Sequence, residues 1–288
     1  MILKKNRRYV VAACFGLLAA LNFTACREQE MVQPKPTGAA RKAADQADVQ
    51  LINVHYRHLL TGYGSQTLAY NADHQLQQMS YSASLYRTYH RYLFQGMPHV
   101  ETKFYSGGKL IRKDVYVLNA AGRCTKSFAH HYHPVSGALV STVPYKYEYD
   151  GAGLLRKSYN SDNPTEQCRY FYGNPGNLTQ VLVFGPSGNL IKRLEYQYAN
   201  PAWTNPYRFH PDKLDHLEFH LRIFGTFSKY LPTRCIEKNG QHEVLTDLQY
   251  QYELDSDGFP TNRESFNTAG QLVVTLPYQY QLVPIVIL

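Results

Sequence analysis

Two groups of histidines are the residues of this chain best placed by type and spacing to hold a metal. His130, His131 and His133 stand in the run His-His-Tyr-His. In an extended strand the side chains alternate faces, so His131 and His133 would converge while His130 points away. Two imidazoles fall short of a zinc site, which takes three or four protein ligands, and a solvated strand end leading into Pro134 accounts for the same residues. His216 and His220 stand at i and i+4 beside Asp212 and Asp215, a helical spacing that can bring two nitrogens to one ion. The glutamate of a zinc-protease helix is missing between them: Leu217 occupies the position that needs the base, and Glu218 falls on another face. A polar helix face opposite Leu214, Leu217 and Leu221 explains the pair without a metal. No metal and no cofactor is therefore expected, with His216 and His220 the residues to inspect.

Nothing else in the sequence marks a reaction. A Gly-x-Ser-x-Gly elbow, a P-loop and a dinucleotide fingerprint are lacking. The acids are scattered, and a glycosidase pair cannot be picked by spacing because its two carboxylates come from distant strands. No catalytic residue is assigned, and the sequence favours a non-enzymatic protein.

The strongest compositional signal is 25 tyrosines against one tryptophan. A curved aromatic wall can stack sugar rings or peptide side chains and offer hydroxyls to them. Tyr147, Tyr149, Tyr172, Tyr196 and Tyr198 are the candidate ligand-facing aromatics, with a glycan or peptide as partner. Cross-strand aromatic pairs also simply fill a wide sheet, at about 0.2–1 kcal/mol each, and this packing role is the expectation for any given tyrosine.

The elements that position these residues are hairpins. From Tyr145 to Tyr159 the chain reads Tyr-Lys-Tyr-Glu-Tyr-Asp-Gly-Ala-Gly-Leu-Leu-Arg-Lys-Ser-Tyr. Tyr145, Tyr147 and Tyr149 share one face at period two, and Lys146, Glu148 and Asp150 the other. Asp150 to Gly153 turns the chain, with Gly153 suited to positive φ. The phrase recurs at Tyr70–Leu76, Tyr105–Leu110, Leu118–Cys124, Tyr170–Leu178, Val183–Leu190, Tyr252–Phe259 and Phe266–Leu272. The predicted fold is all-β: a large curved antiparallel meander of roughly 14 to 18 strands, open or closed like a barrel. Tyr198 to Pro232 interrupts it, with Leu214, Leu217, Leu221 and Phe224 at helical spacing, which predicts a short helical or irregular plug over one end.

Ahead of the meander, residues 1–25 read as a lipoprotein signal peptide. Lys4, Lys5, Arg7 and Arg8 precede an apolar run from Tyr9 to Leu21, and Phe23-Thr24-Ala25 leads into Cys26, the expected lipidation site. Residues 26–50 are polar with Pro34 and Pro36 and read as a flexible tether, leaving 51–288 as a single repetitive β-sheet domain. The signal carries four basic residues and no acid, so the formal charge of +8 falls to +4 without it. With no Lys/Arg block, nucleic acid is not an expected partner; a membrane, through the lipid anchor, is. Cys124, Cys168 and Cys235 remain in the body, an odd number with no close-spaced pair, so cysteines do not hold the fold and buried free thiols are expected.

The Tyr-x-Tyr-Asp-x-x-Gly-x-Leu phrase at Tyr147 resembles the YD repeat of Rhs-type shell proteins, which implies a hairpin unit. Together with the lipobox, Tyr196 to Pro201, Phe224 to Pro232 and Tyr250 to Pro260, the chain resembles the bacterial lipoprotein family known as domain of unknown function 4595. That resemblance implies a porin-like fold on a cell-envelope, outer-membrane lipoprotein and carries no functional residues over. Cys26 followed by Arg27-Glu-Gln-Glu30 is similar to acidic surface-export signals, with Arg where an acid or Lys often stands, which leaves periplasmic and surface display both open. The leading expectation is a lipid-anchored β-sheet protein that binds or scaffolds. The alternatives are a hydrolase with a site near the 198–232 insertion and a membrane-embedded β-barrel.

Overall fold

The computed structural model describes residues 54–174, 176–200, 203–206, 217–218 and 220–286. The expected signal segment, Cys26 and the tether lie outside the described residues, as does His216. The strands are β1 (Val54–Tyr63), β2 (Gln66–Tyr70), β3 (Leu76–Ser82), β4 (Leu85–Phe94), β5 (Met97–Ser106), β6 (Lys109–Leu118), β7 (Cys124–Tyr132) and β8 (Leu139–Tyr149). They continue as β9 (Leu155–Asn160), β10 (Gln167–Gly173), β11 (Asn177–Phe184), β12 (Leu190–Gln197), β13 (Arg234–Asn239), β14 (Val244–Leu254), β15 (Pro260–Phe266) and β16 (Leu272–Val286). Each strand pairs antiparallel with the next, and β1 pairs with β16, so the meander is a closed barrel in sequence order. A sheet this wide curls, and joining its first strand to its last removes both bare edges.

At most of its sites the repeated turn phrase is an Asx turn whose fourth residue is left-handed. Asp150 Oδ1 accepts the N–H groups of Ala152 and Leu154 at 3.0 and 2.9 Å, and Gly153 sits at φ 79°. Asn119, Asp255 and Asn267 accept the same two N–H groups from their own turns. Asn71 and Asn239 do so with His74 and His242 in the left-handed position, at φ 57° and 69°. At these turns the phrase encodes one local device: an Asx oxygen that satisfies two backbone donors and a residue tolerant of positive φ. The other recurrences keep the positive φ without the Asx oxygen: Gly176 and Gly188 donate to the carbonyls of Gly173 and Gly185, and Tyr105–Leu110 turns on Gly107 and Gly108.

The connections from each even strand to the next odd one gather at one end of the barrel, and the irregular segment between β12 and β13 belongs to that end. Its described residues fold into the barrel as a plug. Leu217, Leu221, Ile223, Phe224 and Phe227 are buried in one apolar cluster with the wall residues Tyr116, Tyr147, Leu155, Tyr170 and Tyr196. Of the helix that the leucine spacing predicts, the described part forms a 3-10 turn at Arg222–Phe224, followed by Gly225 at φ 82°. Close approach demands a glycine there: an added Cβ would stand 2.7 Å from the carbonyl oxygen of Gly153 in the β8–β9 turn.

Period-two alternation sorts the wall. Tyr147 is buried inside and Tyr145 and Tyr149 pack against the core, while Lys146 and Glu148 are exposed outside. The outer wall carries ion pairs partway along its strands: Glu101 with Lys103 (2.8 Å), Glu195 with Lys238 (2.8 Å), and Asp247 with Arg234 (2.5 Å).

Candidate functional site

The interior of the plugged end brings polar and aromatic groups together, and hydroxyls tie it to the backbone. Five tyrosines, each on or just beyond an even strand, donate to a carbonyl on or just ahead of the preceding odd strand. They are Tyr70 to Leu60 (2.8 Å), Tyr149 to Cys124 (2.8 Å), Tyr198 to Leu178 (2.7 Å), Tyr252 to Pro232 (3.1 Å) and Tyr280 to Pro260 (2.7 Å). Phenylalanine could fill the same volume without closing this bond, which gives a physical reason for the excess of tyrosine.

The five aromatics singled out from the sequence all lie in this wall and plug packing. Tyr147 shares a 2.8 Å hydrogen bond with Ser127 Oγ, and its ring centroid is 5.1 Å from that of Phe224. Tyr149 reaches Cys124 and also lies 3.4 Å from the Ile223 carbonyl of the plug. Tyr198 adds a contact of 2.7 Å with Ser228 Oγ. Tyr172 is partly buried with the Arg156 guanidinium 5.0 Å from its ring centroid, and Tyr196 belongs to the buried cluster.

The histidines do not converge. β7 ends at Tyr132, so His133 lies in the following turn, where its Nδ1 accepts the N–H groups of Val135 and Ser136, each at 3.2 Å. His130 Nδ1 lies 2.9 Å from Thr142 Oγ1. His220 is buried with its ring edge-on to Tyr63, and its expected partner His216 is outside the described residues. Among the described residues no group of three or more His, Cys, Asp or Glu side chains is arranged to hold a metal ion. Cys124, Cys168 and Cys235 are free and buried, and burial pushes the Cys168 thiol up to about 12.

Sequence reading missed the buried charges. Glu218 is ion-paired with Arg87 of β4, and Tyr89 donates to its Oε1 at 3.1 Å. Arg112 holds Asp114 at 2.9 Å with Thr102 behind it, and Lys192 faces Glu237 at 3.3 Å. The one available signal was Glu218 itself, an acid lying between plug leucines.

Between the plug and the wall of β1, β2, β4 and β5 lies a cavity of about 230 Å³. Leu59, Leu76, Val100 and Leu221 form its apolar side, with the rings of Tyr70 and Tyr89. Among the described residues its polar side carries Arg57, Arg91, Arg222, His74 and His220 together with Gln75 and the carboxylate of Asp73.

No protein-family model and no curated protein matches the chain. Among solved structures, a porin-like protein from Bacteroides vulgatus ATCC 8482 is similar over 77% of this chain and 98% of its own, with a TM-score of 0.53 and 13% identity. A porin-like protein from Bacteroides uniformis ATCC 8492 is similar over 82% and 93%, with a TM-score of 0.51 and 15% identity. At such identities the likeness is one of fold, and the chain is a closed β-barrel with the fold of these porin-like proteins.

Proposed function

We propose that this chain is a porin-like barrel of the bacterial cell envelope, held at the outer membrane through lipidated Cys26 and the 26–50 tether. Its outer wall stands in water and its plugged end binds a small ligand. Closure of the sheet and the likeness to porin-like proteins favour a barrel over an open scaffolding sheet. The observation that carries the placement of the wall is its charge. Lys103, Lys113, Arg193, Arg234 and Lys238 face outward along the strands. A Lys or Arg on the lipid face near the bilayer midplane costs about 2–4 kcal/mol. A conducting porin also has a polar, water-filled interior, whereas this one packs tyrosines against Phe224 and Phe227. The resemblance to domain of unknown function 4595 and to YD repeats belongs to the same proposal, supported by the hairpin turns and the porin-like fold.

Fractionation tests the anchor: Cys26→Ser should fold and leave the membrane fraction, and its retention there would count against lipidation. Conductance in planar bilayers tests the wall, with no channel events expected and residues 51–288 soluble without detergent. Two observations favour the membrane-embedded alternative: the likeness in fold to porin-like proteins, and the exposure of Val140, Ile191, Leu245 and Val273 at the barrel end opposite the plug. Channel activity, or a barrel that stays in solution only with detergent, would put that reading first.

A further inference from the structure

At the end opposite the plug two strands run past their neighbours and leave an edge bare, and the two edges have nearly the same sequence. β8 pairs with β7 from Leu139 on, but its first pair with β9 is Tyr145 with Asn160. β16 pairs with β15 from Leu272 on, but closure seals it against β1 only from the pair of Tyr278 with Tyr63. The bare stretches read Leu139-Val-Ser-Thr-Val143 and Leu272-Val-Val-Thr-Leu276, and each runs on into Pro-Tyr-x-Tyr. In both, the neighbouring turn reaches as far as the proline: Ser161 N–H donates to the Pro144 carbonyl and Gly64 N–H to that of Pro277, each at 2.8 Å. Two residues back along each strand, Thr142 and Thr275 turn their own N–H and C=O to that same side. No strand among the described residues pairs with them there.

A bare edge is a template for strand addition and is ordinarily defended by charge. The comparable edge of β14, which runs past its first pair with β15 at Gln249, carries Asp247. The β8 and β16 edges carry no charge, and Val140 and Val273 stand out on them at 65% and 52% exposure. Antiparallel pairing of either edge with its own copy, centred on Ser141 or on Val274, therefore opposes no like charges. It sets Val140 across from Thr142 and Val273 across from Thr275, with both threonine N–H groups supplied with an acceptor. β8 and β16 are eight strands apart in a closed ring of sixteen, so they lie on opposite sides of the rim, and both run away from it. A two-fold axis laid across the rim through one edge passes through the other as well, and a single rotation serves both.

We propose that two copies of this chain join rim to rim, β8 to β8 and β16 to β16, as a closed two-fold dimer. One partner copy satisfies both edges, so none is left to recruit a third. The same contact covers Ile191 and Leu245, which are exposed at that rim. This assembly goes beyond the reading of the plugged end and is independent of how the barrel is held at the membrane.

Disulfide crosslinking of the full chain in intact cells tests it. Residues facing each other in a non-hydrogen-bonded antiparallel pair have Cα atoms about 4.5 Å apart, within reach of a disulfide. Ser141→Cys and Val274→Cys should each give a dimer on a non-reducing gel, and Ser187→Cys, in the β11–β12 turn of the same rim, should not. The double variant Ser141→Cys with Val274→Cys should stop at the dimer. A ladder of longer species would mean that the two edges engage different copies, and would overturn the proposal. Thr142→Pro with Thr275→Pro removes one N–H from each bare side and spares the ladders to β7 and β15, and should cut crosslinking tenfold or more. Where the prolines lower the melting temperature, Val140→Lys with Val273→Lys, at exposed positions, blocks the same edges by charge. Crosslinking at neither cysteine, at only one of the two, or undiminished in the blocked variants would overturn the proposal. Failure here leaves the conductance and fractionation results standing, so the two readings fall separately.

Discussion

Tyr149 donates its hydroxyl to the carbonyl oxygen of Cys124 at 2.8 Å, and that hydroxyl also lies 3.4 Å from the carbonyl oxygen of Ile223. One side chain thus joins β8 to β7 and meets the plug. Tyr149→Phe should therefore destabilise by about 0.5–1.5 kcal/mol, the net worth of one hydrogen bond. Tyr147→Phe should cost a similar amount, because it strips Ser127 of its partner. Tyr147→Ala should cost about 3–5 kcal/mol through the cavity it opens. Tyr86, whose ring stacks on Tyr105 on the outer wall, should tolerate Phe within about 0.5 kcal/mol. Urea unfolding of the four variants checks the set, and equal losses at Tyr149 and Tyr86 would remove the hydroxyl from the account.

Gly153→Val should destabilise by about 2 kcal/mol or more, because a β-branched residue is poorly tolerated at φ 79° and its Cβ would meet the Arg123 guanidinium. Gly151→Ala, with open space around the new carbon, should fall within about 0.5 kcal/mol of wild type. Gly225→Ala should also destabilise clearly, since its Cβ would sit at φ 82° and press on the carbonyl oxygen of Gly153. Thermal melts rank the three, and a melt of Gly151→Ala as low as that of Gly153→Val would displace the turn by a residue.

Arg87→Ala should cost about 3–5 kcal/mol, leaving the Glu218 carboxylate buried without its cation. Arg87→Met combined with Glu218→Gln should cost clearly less than the two single changes summed. Denaturant titration of the double-mutant cycle measures the coupling, and strict additivity would mean that the two side chains do not act as a pair.

Hydrogen bonding from Arg234 is the largest influence on Asp247 and, against partial desolvation, holds its carboxyl below the usual carboxylate range. A depressed folded-state value means that the unfolded chain binds the proton more readily. The stabilisation is therefore present above the unfolded value near about pH 4 and is lost as pH falls through the folded value. Arg234→Gln should flatten the fall in melting temperature below about pH 4 and change little at pH 7 beyond the loss of the pair itself. Superimposable acid profiles for the two proteins would rule the pair out as a contributor.

Local geometry was legible from the chain because it is written in consecutive residues: the alternation from Tyr145 to Tyr149, the Asp150 turn and the positive φ of Gly153 all survive as read. Strand number and direction follow from repeating that unit. Closure did not follow, since pairing Val54 with Val286 depends on the curvature accumulated over every intervening strand. The site was hidden for a related reason. Tyr89 and Glu218 are 129 positions apart, and Arg57, Arg91 and Arg222 come from two strands and the plug, so no spacing rule joins them. The direction of a tyrosine hydroxyl is equally invisible in a pattern that reports only which face a residue occupies.

The pairing of β1 with β16 also sets the order of events in assembly. Every other wall contact joins strands consecutive in sequence, and all but β12 with β13, which the plug segment separates, can form as local hairpins; the seam needs the two most distant strands and pays the largest loop entropy. Until it seals, β1 and β16 each expose an unpaired edge to any other unfolded chain. A protein interrupted within β16 would therefore keep nearly all its hairpins yet behave as a sticky sheet, so the last fifteen-residue strand acts as a latch against self-association.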